Sequence, residues 1–314
     1  MKRYHLIGRV CLLAALAVLA AGCSSPGVQE SAGENTTTGD LAVFVREAAA
    51  YAEDAGKDAA LAEFGNASGR FSRGDVYVYA YDYNGTLLAH PYERELVGTI
   101  RANWTDVRGL PAVRIGAETA ANGGGYIAYL YPAPENGSTD ETAEGTYTLK
   151  LGYVAPAGEG WWIGSDISLA GNGREPYPEA VSAMVDLVER GAAYGREHDR
   201  PGAFTEISNQ TGTLVDAGGH YLYAYDYNGT LLAHPYLQAA VGSSLIERQD
   251  PFGMKNIRAL RDTARDGGGF IVFVWPNPDR ENREELKIGY VLPVDETWWV
   301  GSGVYLSEIT GENA

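Results

Sequence analysis

The chain contains itself twice. Tyr79–Tyr92 reads YAYDYNGTLLAHPY, and Tyr223–Tyr236 repeats the same fourteen residues at an offset of 144. That offset persists through Asp106/Asp250, Gly109/Gly253, Arg114/Arg258 and the Gly triplets at 123–125 and 267–269. It falls to 137 at Lys150/Lys287 and holds through the Trp pairs at 161–162 and 298–299, so the first copy carries seven extra residues in the polar loop Glu135–Thr146. Copies of about 125 residues are too long for solenoid units and suit two complete domains. We place these at 41–170 and 179–310, joined by a Pro/Gly linker at 171–178, with Pro178 opening the next helix.

Each copy has the same coarse order. Leu41, Phe44, Val45, Ala48 and Ala52 recur at helical spacing, as do Val181, Met184, Val185, Val188 and Ala192. Asn84-Gly85 and Asn228-Gly229 then sit between alternating segments, which predicts a two-residue hairpin turn. That turn pairs Tyr83 with Thr86, Tyr81 with Leu88 and Tyr79 with His90. One face then carries Tyr79, Tyr81, Leu88 and His90. The other carries Val78, Ala80, Leu87 and Ala89, small enough to lie under a helix. A short helix at 109–121 and strands at 126–131, 147–154 and 162–167 complete the copy. The fold class is therefore α+β, a long N-terminal helix against a five-stranded antiparallel sheet, in tandem.

Residues 1–22 read as a signal peptide: Lys2, Arg3 and Arg9 precede an apolar run, Val10–Ala21, too short for a comfortable span. Small residues before Cys23 resemble a lipobox, so Cys23 is the expected lipidation site, with 23–40 as a flexible tether; an ordinary leader and an uncleaved anchor are the alternatives. Cys11 leaves with the leader, and no disulfide follows. The formal charge of −17 becomes −20 once Lys2, Arg3 and Arg9 are lost, and such a surface repels nucleic acid. Seven Asn-X-Ser/Thr sequons, at Asn35, Asn66, Asn84, Asn103, Asn136, Asn209 and Asn228, are candidate glycosylation sites on an exported chain.

The order YxYDYNGTLLAHP, Gly98/Gly242, DxxG, GGG[YF], an aromatic-Pro pair, KxGYV and WWxGS resembles the extracytoplasmic Cache sensor family, its second single-Cache type, across both copies. The resemblance implies a PAS-like fold with a small-molecule pocket on the sheet face away from the long helix. It also implies short carboxylates or amino acids as ligands, and use as an input module of a chemoreceptor or histidine kinase. Copy one departs from the pattern at Tyr131-Pro132 and at Asp166, where copy two has Gly303. No output segment follows in this chain, so a tethered binding protein, serving a separate receptor or transporter, is the expected form.

The hydroxyl-and-imidazole face needs polar partners when buried, which makes Tyr79, Tyr81 and His90, with Tyr223, Tyr225 and His234, candidate ligand-binding residues. A satisfied core His is the bland alternative. Lys150 and Lys287 lie in apolar strand patterns and either snorkel to water or pair an anionic ligand. Arg114 and Arg258 either face solvent or clamp a carboxylate. Asp82 and Asp226 read as turn-stabilising rather than calcium ligands. Of each Trp pair, one is expected in the core and the other exposed. No catalytic triad, zinc spacing or phosphate loop is present, so neither an enzyme nor a cofactor or metal is expected. An adhesive envelope protein without a ligand is the alternative function.

Overall fold

The computed structural model describes residues 36–132, 147–169, 177–216, 218–251 and 253–311. The leader, Cys23, most of the tether, the 135–146 loop and most of the linker lie outside them. The first helix, α1 (Thr38–Ala55), starts inside the expected tether. Thr37 caps it: its hydroxyl accepts from the Asp40 N–H at 3.1 Å and the Asp40 carboxylate accepts from the Thr37 N–H at 3.2 Å. After it come α2 (Lys57–Phe64) and a short ribbon of β1 (Ser72–Arg73) and β2 (Val76–Tyr77). The sheet elements follow as β3 (Tyr79–Asp82), β4 (Leu87–Ala89), β5 (Gly125–Pro132), β6 (Tyr147–Gly158) and β7 (Trp161–Leu169). Between β4 and β5 lies α3 (Ala112–Ala121). The second copy repeats this with α4 (Glu179–Glu197), α5 (Arg200–Ile207), β8 (Tyr223–Asp226), β9 (Leu231–Ala233), α6 (Asn256–Arg265), β10 (Gly269–Asn277), β11 (Arg283–Pro293) and β12 (Trp298–Tyr305), then a closing α7 (Leu306–Thr310). Pro178 stands at the N-cap of α4, one place before the helix.

Each sheet is five-stranded and antiparallel, in the orders β4-β3-β7-β6-β5 and β9-β8-β12-β11-β10. The long helix lies on one face and the short helix on the other. Alternation along the strands builds both layers. Ala80, Leu149, Leu151 and Ile163 join the α1 side, with Leu41, Phe44 and Val45. Tyr79, Ile127, Tyr129 and Trp162 join the α3 side.

The hairpin differs from the two-residue turn. Asp82 N–H donates to the Thr86 carbonyl at 3.0 Å, which leaves Tyr83, Asn84 and Gly85 as a three-residue loop. The Asp82 carboxylate accepts from the Asn84 and Thr86 N–H groups at 2.9 and 2.7 Å, and Gly85 takes φ +82°. Ala80 pairs with Ala89 in the expected register, but Tyr81 pairs with Leu87 rather than Leu88, across a bulge; on its other edge β3 sets Tyr79 opposite Gly164 of β7. Copy two does the same through Asp226 and Gly229. The bulge exchanges the two leucines. Leu231 packs with the Tyr223/Tyr225 cluster, whereas Leu88 and Leu232 pack on the long-helix core.

The helix-side core is continuous across the two copies. Arg108, beyond the first hairpin, reaches into the second copy. It donates to Glu189 at 2.7 Å, to the Tyr290 hydroxyl at 2.9 Å and to the Tyr177 hydroxyl at 2.6 Å. Replacing Arg108 with Ala is expected to cost about 1–2 kcal/mol and to separate the calorimetric unfolding of the two copies. An unchanged thermogram would show that the core alone couples them.

Candidate functional site

Each histidine follows β4 or β9 directly and precedes a Pro, and the chain then turns back over it. His90 Nδ1 accepts from the Tyr92 and Glu93 N–H groups at 3.2 and 2.9 Å; His234 Nδ1 accepts from those of Tyr236 and Leu237 at 3.0 and 3.1 Å. With Nδ1 occupied as an acceptor, the neutral ring carries its proton on Nε2. Burial pushes both imidazoles down to about 4, helped at His234 by the Lys287 charge. Each is a fixed neutral donor at physiological pH.

These rings border two pockets, one per copy, between the sheet and the short helix. The first holds about 670 Å³ of empty space with its mouth included, the second about 350 Å³. Tyr79, Tyr81, His90 and Lys150 line the first; Tyr223, Tyr225, His234 and Lys287 line the second. In each, the second Trp of its pair stacks on a Tyr: Trp162 on Tyr81 at 5.1 Å and Trp299 on Tyr225 at 5.2 Å. Both Trps of each pair are buried, on opposite faces, so neither is the exposed partner expected from the sequence.

Arg114 and Arg258 line neither pocket. On α3, Val113, Ala117 and Ala120 face the sheet, and on α6 Ile257, Leu260 and Ala264 do; each Arg is the neighbour of an inward residue and so turns outward. Arg114 meets Asp266 of the other copy at 2.8 Å, and Arg258 pairs with Glu247.

The two lysines differ. Lys150 is partly exposed and donates to Ser168 Oγ at 2.8 Å. Lys287 is 5% exposed, with Nζ 4.3 Å from the Tyr305 ring centre and 5.5 Å from that of Tyr221. Burial lowers its pKa to about 8, against the opposing pull of Glu308 and Glu285.

The charge pattern of the pockets also differs. The first is lined by two carboxylates, Glu93 and Asp166, and by Arg101. Asp166 accepts from the Tyr79 and Tyr129 hydroxyls at 3.3 and 2.9 Å, and Glu93 from the Tyr131 hydroxyl at 2.7 Å. Burial raises the Asp166 pKa, opposed first by the Lys150 charge and then by the two hydroxyls. At the matching positions copy two has Leu237, Gly303, Phe273 and Trp275, and no acid lines its pocket. Asp166, Tyr129 and Tyr131 were not among the expected site residues. Strand alternation carries the signal: Ile127, Tyr129 and Tyr131 share one face of β5, and Trp162, Gly164 and Asp166 one face of β7.

Residues 48–169 and 182–314 each match single Cache domain 2. The chain belongs to that family. Its domains are small-molecule sensors, and this chain carries two in tandem. The sensor histidine kinase MctS of Rhizobium johnstonii is 32% identical over 123 residues, which are 37% of this chain and 26% of that protein. The chain thus spans about a quarter of the curated relative it matches. Among solved structures, a methyl-accepting chemotaxis protein from Vibrio parahaemolyticus is 22% identical over 41% of this chain and 90% of its own, with a TM-score of 0.36. A Cache chemosensory domain described for carboxylic acid recognition is 23% identical over 41% of this chain and 87% of its own, with a TM-score of 0.31. Among the described residues no helix is long and apolar enough to cross a membrane, and no group of His, Cys, Asp and Glu is arranged to hold a metal.

Proposed function

We propose that the protein is an extracytoplasmic, membrane-tethered sensory binding protein, each copy a domain with its own pocket, and that the second pocket takes a short carboxylate. The observation that carries this reading is Lys287: a cation 5% exposed, inside a pocket whose other walls are aromatic and aliphatic and include no acid. A buried charge of this kind is costly until an opposite charge joins it. A carboxylate supplies that charge, and His234 Nε2–H offers a second, neutral donor. The walls of Ile257, Leu260 and Phe273 suit a short alkyl tail. Asp166, Glu93 and Arg101 beside Lys150 make the first pocket a different environment.

Isothermal titration of the full chain with propionate at pH 7 is expected to show saturable binding, with propionamide weaker by at least about tenfold. Equal binding of acid and amide would remove the anion from this reading. Tethering rests on Cys23, which lies outside the described residues. Cys23→Ala is expected to release the protein from membranes, measured by fractionation. Retention of the variant would mean that the leader stays as an anchor. Such a tethered binder would hand its signal to a separate receptor or transporter.

A further inference from the structure

We infer that the first pocket takes a ligand bearing an ammonium group, with Asp166 as its counter-ion, so that the two pockets of one chain select opposite charges. This rests on the reading that both pockets bind small molecules.

Asp166 stands on β7 with no ion-pair partner within 4.0 Å among the described residues. Its two oxygens accept one hydroxyl hydrogen bond each, from Tyr79 and Tyr129, although a carboxylate has room for about four. Lys150 is the cation that acts on it most strongly, from beyond ion-pair distance, and gives one of its three N–H donors to Ser168 Oγ. The backbone makes room for the acid as well. A Cβ at Gly152 would lie 2.3 Å from Asp166 Oδ1, so any larger residue there displaces the carboxylate.

The walls around this acid are aromatic. Tyr79, Tyr81, Trp104, Tyr129 and Trp162 all line the pocket. Ring faces attract a cation, and a carboxylate beside them completes the recognition of an ammonium group. Trp162 Nε1–H is buried and has no partner among the described residues, which leaves a donor for an acceptor on the same ligand. Arg101 and Lys150 also line this pocket, so an anion would meet two acids there as well as two cations.

Copy two is the internal comparison. Where the first pocket has Asp166, Tyr129, Tyr131 and Glu93, the second has Gly303, Phe273, Trp275 and Leu237, and its lysine is the buried one. Every acid of the first pocket is lost in the second, so the charge preference inverts with the lining.

An ammonium group can belong to a simple amine or to an amino acid. Titration of the full chain with propylamine and with L-alanine at pH 7 separates the two, and propionate is the anionic probe. At least one ammonium probe is expected to bind. Its affinity should fall about tenfold or more in Asp166→Asn and in Asp166→Gly, which installs the residue that copy two carries there. Thermal melts of the same variants report whether the first copy stays folded, and propionate reports on the second pocket. Propionate binding without binding of either ammonium probe overturns this inference and leaves the second-pocket reading standing. Unchanged ammonium affinity in a folded Asp166 variant also overturns it. Absence of binding by all three probes removes the pocket reading together with it.

Discussion

Replacing Lys287 with Met is expected to abolish measurable propionate binding and, at the same time, to raise the stability of the ligand-free protein. Met keeps the length of the side chain and removes the charge. The binding loss follows from the missing ion pair in a pocket walled by aromatic and aliphatic side chains: a charge-assisted bond is worth about 1.5–3 kcal/mol, or at least tenfold in affinity. The stability gain follows from burial. The Lys287 ammonium sits at 5% exposure with its pKa lowered from 10.5 to about 8. At about 1.4 kcal/mol per pKa unit, the charged form costs the folded state roughly 3 kcal/mol. The attraction of Glu308 and Glu285 is already contained in that value, and relaxation around the buried amine returns part of the cost. A net gain of about 1–3 kcal/mol is expected, read by urea or thermal melts at pH 7. A destabilised variant would show that Lys287 is structural, and unchanged propionate affinity would remove it from the site.

The pH dependence has a defined sign. The folded pKa of Lys287 lies below the ordinary value, so the native state releases this proton first. Between about pH 8 and 10.5 the unfolded chain binds more protons, and stability rises with pH through this group. The advantage of Lys287→Met is therefore full at pH 7, shrinks across that window and vanishes above it. Propionate affinity of the natural protein should fall as pH rises through 8, while His90 and His234, held neutral near 4, add no change between pH 6 and 8. A stability gap that is flat from pH 7 to 10.5 would mean that Lys287 carries no buried charge.

The repeat and the alternating strands made the two-copy α+β architecture legible from the amino-acid sequence, because periodicity is a backbone property. The failures are tertiary. Asn84-Gly85 suggested a two-residue turn, but the Asp82 carboxylate gathers two N–H groups and stretches the loop to three residues. That one-residue difference moves Leu87 and Leu88 to the opposite faces from those expected. Arg114 and Arg258 repeat between the copies, as pocket residues would, yet helical rotation turns both outward. Asp166 was visible as a departure between copies. Its place beside Tyr129 becomes evident only when β5, β6 and β7 are laid edge to edge. Lys150 and Lys287 read alike in sequence; what separates them is Ser168 against Tyr305 on the neighbouring strand, since Lys150 pairs with Ser168 and Lys287 with Tyr305.

Trp298→Ala is expected to be the most destabilising single change in the second copy, at about 3–5 kcal/mol. The indole is fully buried, packs edge-on to Phe204 at 5.0 Å and donates from Nε1 to Asp295 at 3.0 Å. Its far edge rests on the backbone of α4 at Gly195, where a Cβ would come within 2.7 Å of the ring. A helix backbone on one side and a sheet on the other cannot collapse into the cavity, so the cost belongs at the upper end of the range. The same substitution reports on how the copies are coupled. The core on this face runs from α1 through Tyr177, which meets Phe270 at 5.8 Å, into β12. If the copies unfold as one unit, calorimetry shows one transition lowered as a whole, by roughly 2–4 °C per kcal/mol. If each copy is its own folding unit, only the second transition moves and the first pocket keeps its ligand. A loss below about 1 kcal/mol would contradict the rigid packing around Gly195.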